Sequence, residues 1–179
     1  MRLARVGIAL ALSLGCGGPA LTEQAYRDAE GREHPGQVYR DGEASYRVGT
    51  LEGRWQRLGV AGQNDLAWHS EELGAIVQVN ATCDPDSDVP LPALTNHLLI
   101  GFTARELREQ ELVPMDGREA LRTHVVARLD GVLRELLLYV LKKDDCVYDL
   151  ALIAPPGTAF ERARPVFQGL VDGFTTVLR

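Results

Sequence analysis

The chain has 179 residues, 45% of them hydrophobic and 25% charged, with a formal net charge of −6 at pH 7. That apolar share is enough for the packed core of one domain. The acidic balance weighs against a general nucleic-acid binder and against attachment to anionic lipid by charge.

The first predicted element is an export signal over residues 1–15. Arg2 and Arg5 precede the apolar run VGIALALSLG, about half of the roughly 20 apolar residues that a spanning helix needs. A short apolar run behind a basic start is the pattern of a secretory signal. No later stretch is long and apolar enough to span, since the richest, 132–141, is interrupted by Arg134 and Glu135. The segment Leu12-Ser13-Leu14-Gly15-Cys16 resembles the lipobox of bacterial lipoproteins. Gly15 and Cys16 match, while Ser13 stands where that pattern usually has leucine. The resemblance implies lipid attachment at Cys16 and, with Gly17 rather than Asp next, delivery to the outer membrane facing the periplasm. A lipidated cysteine anchors a protein without a spanning helix. Cleavage near Gly18-Pro19-Ala20 would instead release a soluble periplasmic protein.

Residues 16–43 read as the lipidated cysteine and a flexible tether. They are rich in glycine and charge and have no sustained apolar period. The folded domain is expected over 44–179. It opens with short strand-like runs, ASYRV, RWQRL, DLAWHS and AIVQVNAT, separated by turn-forming residues. In the last, Ala75, Val77, Val79, Ala81 and Cys83 share one face, which marks a sheet packed on that side. With Cys16 lipidated, Cys83 and Cys146 are an even pair in an oxidising compartment. That predicts a disulfide between them, and a zinc site competes weakly because CxxC spacing is absent.

An acidic loop follows, in which Asp84, Asp86 and Asp88 alternate like the start of a calcium loop. Val89 stands where that loop needs glycine and Thr95 where it needs glutamate, so a solvated turn is the competing reading. A helix is predicted over 92–102, with Leu91, Leu94, Leu98 and Phe102 on one side. Asp130-Gly131 between two strand-like runs predicts a two-residue hairpin turn. That register sets His124 opposite Leu137 and Arg122 opposite Tyr139. The second strand of the hairpin is apolar on both faces, so both faces must be covered. The strand CVYDLALIA comes next. Thr158-x-x-Glu161 then reads as a capping box before a closing helix with the stripe Phe160, Ala163, Phe167, Leu170, Val171, Phe174 and Leu178.

This order predicts an α/β (α+β) domain in which an antiparallel sheet is sandwiched between helices. It resembles the PsbP-like fold family. The resemblance lies in Tyr46 and Trp55 in the early strands, a first helix after the fourth strand, and Tyr139 in the Leu-rich strand of the hairpin. It extends to the Cys-Val-Tyr strand and to the closing helix with Phe160, Phe167 and Phe174. It implies a non-catalytic binding or assembly protein.

The residue inventory leads to the same expectation. Ser45, Ser70 and Ser87 lie in no GxSxG elbow, and no P-loop, GxGxxG or HExxH is present. No catalytic residue, cofactor or firm metal site is expected. The expected partners are the membrane, through the lipid anchor, and another envelope protein, with no nucleic acid. Arg122, His124, Val126 and Arg128, on the exposed face expected of the hairpin, are the expected contact surface. A small-ligand or calcium-binding role, using the acidic loop or an Arg122–His124–Tyr139 patch, is the alternative.

Overall fold

The computed structural model describes residues 20–41, 43–59, 65–84, 86 and 88–177. The expected export signal and Cys16 lie outside the described residues. In chain order the elements are β1 (Ala20–Glu23), β2 (Tyr26–Arg27), β3 (Glu33–His34), β4 (Gly36–Arg40), β5 (Ser45–Gly49), β6 (Gln56–Arg57), β7 (Leu66–Ser70) and β8 (Ala75–Cys83). After them come α1 (Leu91–Leu98), β9 (Phe102–Met115), β10 (Arg118–Leu129), β11 (Val132–Lys143), β12 (Cys146–Ala154), α2 (Thr158–Asp172) and β13 (Thr175–Thr176).

The main sheet has seven antiparallel strands in the order β6-β7-β8-β12-β11-β10-β9. A four-stranded sheet, β1-β4-β5-β13, joins α2 on one face of it, and β2 and β3 form a separate hairpin. The two faces of β11 show how the layers are held. Leu137, Tyr139 and Leu141 enter the large core beneath α2 and the small sheet, with Phe160, Phe167 and Leu170. Leu136 and Leu138 enter a smaller cluster with Leu99, Val125 and Ala127, beside α1. Being apolar on both faces, the strand is covered on both, as its sequence requires.

Two close approaches fix the layers. A side chain on Gly49 of β5 would strike the backbone of Gly169 in α2, and one on Gly173 would strike Gly49. Glycine at these positions lets strand and helix meet backbone to backbone. At the far end of the main sheet, Asp130 and Gly131 have φ of 50° and 80° between the paired Leu129 and Val132. That is the two-residue turn with positive φ expected of Asp-Gly. It sets His124 opposite Leu137 and Arg122 opposite Tyr139. Cys83 and Cys146 are directly opposed across β8 and β12 and form a disulfide.

Three expectations need correction. The described part of 16–43 is not a tether: Ala20 pairs with Arg40, Arg40 pairs with Ser45, and Val38 and Tyr39 are buried. Gly36 reads as flexibility in the sequence, yet a side chain there would strike the Gln24 carbonyl, so the glycine serves packing. The helix after the acidic loop stops at Leu98, and the chain enters β9 through Gly101 at φ 87°. Thr95 is its buried residue, Leu99 just past its end is buried too, and Leu94 is only partly covered. Third, Gly157 rather than Thr158 caps α2, no side chain closes a capping box, and the Gly157 N–H instead donates to Glu135 Oε2 at 3.2 Å.

Candidate functional site

On the α2 face, the β2–β3 hairpin, α2 and the end of β9 enclose a cleft of about 780 Å³. Asp28 shapes the hairpin: its Oδ1 accepts the N–H groups of Glu30 and Arg32, and its Oδ2 meets Arg32 Nε at 2.6 Å and His34 Nε2 at 2.9 Å. The His34 ring beside it, then Arg32, holds the Asp28 carboxyl well below its ordinary range. Tyr26 stacks on His34 and carries the Arg47 guanidinium 4.7 Å from its ring centre.

Arg122 and Tyr139, opposed across β10 and β11, line the same cleft. Tyr139 OH donates to Gln168 Oε1 at 2.9 Å, and Gln168 Nε2 donates to Asp172 Oδ1 at 2.8 Å. Arg122 Nη2 lies 2.8 Å from both Glu109 Oε2 and Glu111 Oε1. Burial opposes its charge, but these two carboxylates outweigh that and raise its pKa. A guanidinium already held by two carboxylates is a poor receptor for an anion.

On the α1 face lies a second pocket, of about 310 Å³. Leu94 and Leu98 of α1 and Val140 and Val147 of the sheet line it, together with Asn80, Thr82, Asp84, His97 and Asp149. Asn80 and Asp149 are opposed across β8 and β12, and Asn80 Nδ2 lies 3.4 Å from Asp149 Oδ2. Burial pushes the Asp149 carboxyl up to about 6, and the Asp65 carboxylate adds to the effect.

No family model matches the chain, and no curated protein matches it in sequence. Among solved structures, the chain is similar to the solution structure of CyanoP, the cyanobacterial PsbP of Synechocystis sp. PCC 6803. The TM-score is 0.55 at 18% identity, over 94% of this chain and 99% of CyanoP. The fold is PsbP-like. Two further structures are looser matches. PA94 of Pseudomonas aeruginosa, a protein of unknown function, gives a TM-score of 0.44 at 12% identity over 82% of this chain and 91% of that one. LpqN of Mycobacterium tuberculosis, involved in cell envelope biogenesis, gives 0.40 at 12% identity over 93% and 88%. At 18% identity the likeness to CyanoP establishes the fold and says nothing of ligand or partner.

Within the PsbP-like fold, the expected contact row is not an open face. Arg122 and His124 are partly covered and Val126 is buried, while Arg128 is exposed. The row faces the α2 side, where His124 stacks on Phe160 with ring centres 5.1 Å apart and meets Glu135 Oε1 at 2.8 Å. The anion patch is likewise divided, with Arg122 and Tyr139 in the cleft and His124 held under the start of α2. Two carboxylates of the acidic loop have partners within the protein. Asp84 accepts the Asp86 N–H, and Asp88 lies 3.4 Å from Lys142 Nζ. Among the described residues no three His, Cys, Asp or Glu side chains are grouped to hold a metal. Trp68 is buried in the core and Trp55 packs partly against it. Sequence reasoning missed Asp149 and the Asp28 hairpin. The one carries no motif inside an apolar strand, and the other lies in the stretch read as tether.

Proposed function

We propose that this chain is a non-catalytic lipoprotein of the cell envelope, anchored through Cys16 at the outer membrane, that docks another envelope protein. The observation that carries the reading is β9. It is the outer strand of the main sheet, pairs only with β10 among the described residues, and is exposed throughout 103–112. Leu107 and Leu112, opposite Val125 and Leu121, are 58% and 54% exposed. A strand added to this edge would complete the backbone ladder and cover both leucines. Glu106, Arg108, Glu109 and Glu111 along it discourage indiscriminate pairing and would favour one partner. The export signal and lipobox support the address. The lack of a recognisable nucleophile motif supports a role in binding.

A photo-crosslinking residue at Leu107 or Leu112 in living cells is expected to give one discrete adduct, and the same residue at the exposed Arg164 of α2 none. Equal adducts from all three positions, or none from any, would defeat docking at β9. Cys16→Ser is expected to abolish fatty-acid labelling and move the protein to the soluble fraction. Turnover of an ester, peptide or glycan by the purified domain would overturn the non-catalytic reading.

A further inference from the structure

The pocket on the α1 face has a composition that packing alone does not call for. Leu94, Leu98, Val140 and Val147 give it aliphatic walls, Asn80, Thr82, Asp84 and His97 line the rest, and Asp149 presents a carboxylate to it. Every ion pair found among the described residues leaves Asp149 out. Its polar contact is one long hydrogen bond from the Asn80 amide, 3.4 Å away. The charges around it do not compensate. Asp65 beyond β8 and Asp84 on the pocket wall are both acidic. Lys142, on the adjoining strand, is drawn away to Asp88 and to the Val89 carbonyl, 3.3 Å from its Nζ. His97 of α1 also lines the pocket, and the histidine ion pairs among the described residues are those of His34 and His124.

A largely buried carboxylate with no ion-pair partner costs folding free energy unless something neutralises it. Such groups in a concave site with aliphatic walls are candidates for a ligand that completes the charge balance. We infer that this pocket binds a small organic cation, an ammonium group on a short aliphatic chain, with Asp149 as its counter-ion. The ammonium would donate to Asp149, and the Asn80 side-chain carbonyl would be its second acceptor. Leu94, Leu98, Val140 and Val147 would enclose the chain. The volume, about 310 Å³, lies at the low end of ordinary small-molecule sites, about 300–1,000 Å³, and fits a short-chain amine. The inference is independent of docking at β9.

The test uses n-butylammonium, with n-butanol as its neutral counterpart, and follows the methyl resonances of Leu94, Leu98, Val140 and Val147 at pH 7.5. Butylammonium is expected to shift these signals in a saturable way. Butanol should bind at least tenfold more weakly. Asp149→Asn, an isosteric change, should weaken butylammonium at least tenfold. Its fold is checked by a melting temperature no lower than that of the unaltered protein. Equal binding of butanol, equal binding by Asp149→Asn, or shifts confined to other methyls would each overturn the inference. So would calcium chloride saturating the same signals at lower concentration than the amine, because the site would then select a metal ion.

Discussion

Two aspartates titrate in opposite directions because their surroundings differ. Asp149 meets one amide beside aliphatic side chains, and burial raises its carboxyl from 3.8 to about 6. Asp116 is partly buried, which opposes its charge, but Lys143 Nζ at 2.8 Å, the Thr175 hydroxyl at 2.6 Å and the Thr176 N–H at 2.8 Å hold it below its ordinary value. Linkage gives the two opposite slopes. The folded form with Asp149 protonated is free of penalty below the unfolded value of 3.8, and the penalty grows as pH rises to about 6. Above that it amounts to about 3 kcal/mol, at 1.36 kcal/mol per pKa unit. Asp149→Asn should therefore raise the melting temperature by several degrees at pH 7.5 and leave it unchanged at pH 3.5. Asp116 contributes stability above 3.8 that is lost as pH falls through its lowered folded value. Asp116→Asn should lower the melting temperature at pH 7, with a gap that closes in acid. Thermal melts across pH 3–8 check both, and parallel curves for either variant would refute its assignment. Neither role is legible in the sequence. Asp149 interrupts an apolar strand without a motif, and the partners of Asp116 come from β11 and β13, distant along the chain.

At the scale of elements, the disulfide closes a loop with a sequence separation of 63. In the chain-entropy model a loop of that length restricts the unfolded chain by about 4 kcal/mol. Cys83→Ser with Cys146→Ser should lower unfolding free energy in urea by about that amount, and a loss below about 1 kcal/mol would mean that strand pairing alone holds β8 to β12. Gly49→Ala should also destabilise, since its new methyl meets the α2 backbone rather than a movable side chain. The bridge was readable because strand parity puts Val77, Val79 and Ala81 on the side of Cys83. The Asp130-Gly131 hairpin was readable because its turn chemistry is local. β9 was not. Its run of Arg and Glu has neither strand alternation nor an apolar face, because its outer edge meets solvent and only pairing with β10 makes it a strand. β1 and β4 were missed for a related reason. Their glycines and charges satisfy contacts with β5 and α2 that no local pattern reveals.

The whole molecule has two ends with different chemistry. Ala20 pairs with Arg40 and Arg40 with Ser45, while the Glu43 carbonyl lies 3.5 Å from Cys83 Sγ. The start of the described chain is therefore at the disulfide end of the main sheet, where β11 turns into β12 at Asp144 and Asp145. β11 runs from there to the Asp130-Gly131 turn, a length on the order of 35 Å at about 3.3 Å per residue. Around that far turn, Ile100 and Val132 are 72% and 51% exposed. Cys16 lies four chain steps before Ala20, a reach of at most about 14 Å. With the proposed anchor at Cys16, the disulfide end must lie against the bilayer, and the apolar tip must point away from it. Ile100 and Val132 would then meet a partner or the aqueous phase rather than lipid. This orientation can be measured with a fluorescent amino acid at Asp144 or at Val132 and a quencher on the lipid tails near the membrane surface. In protein reconstituted in vesicles through its lipid, the probe at Asp144 should be quenched and the probe at Val132 should not. Quenching at Val132 equal to that at Asp144 would mean that the tip reaches the bilayer, and this orientation would have to be abandoned.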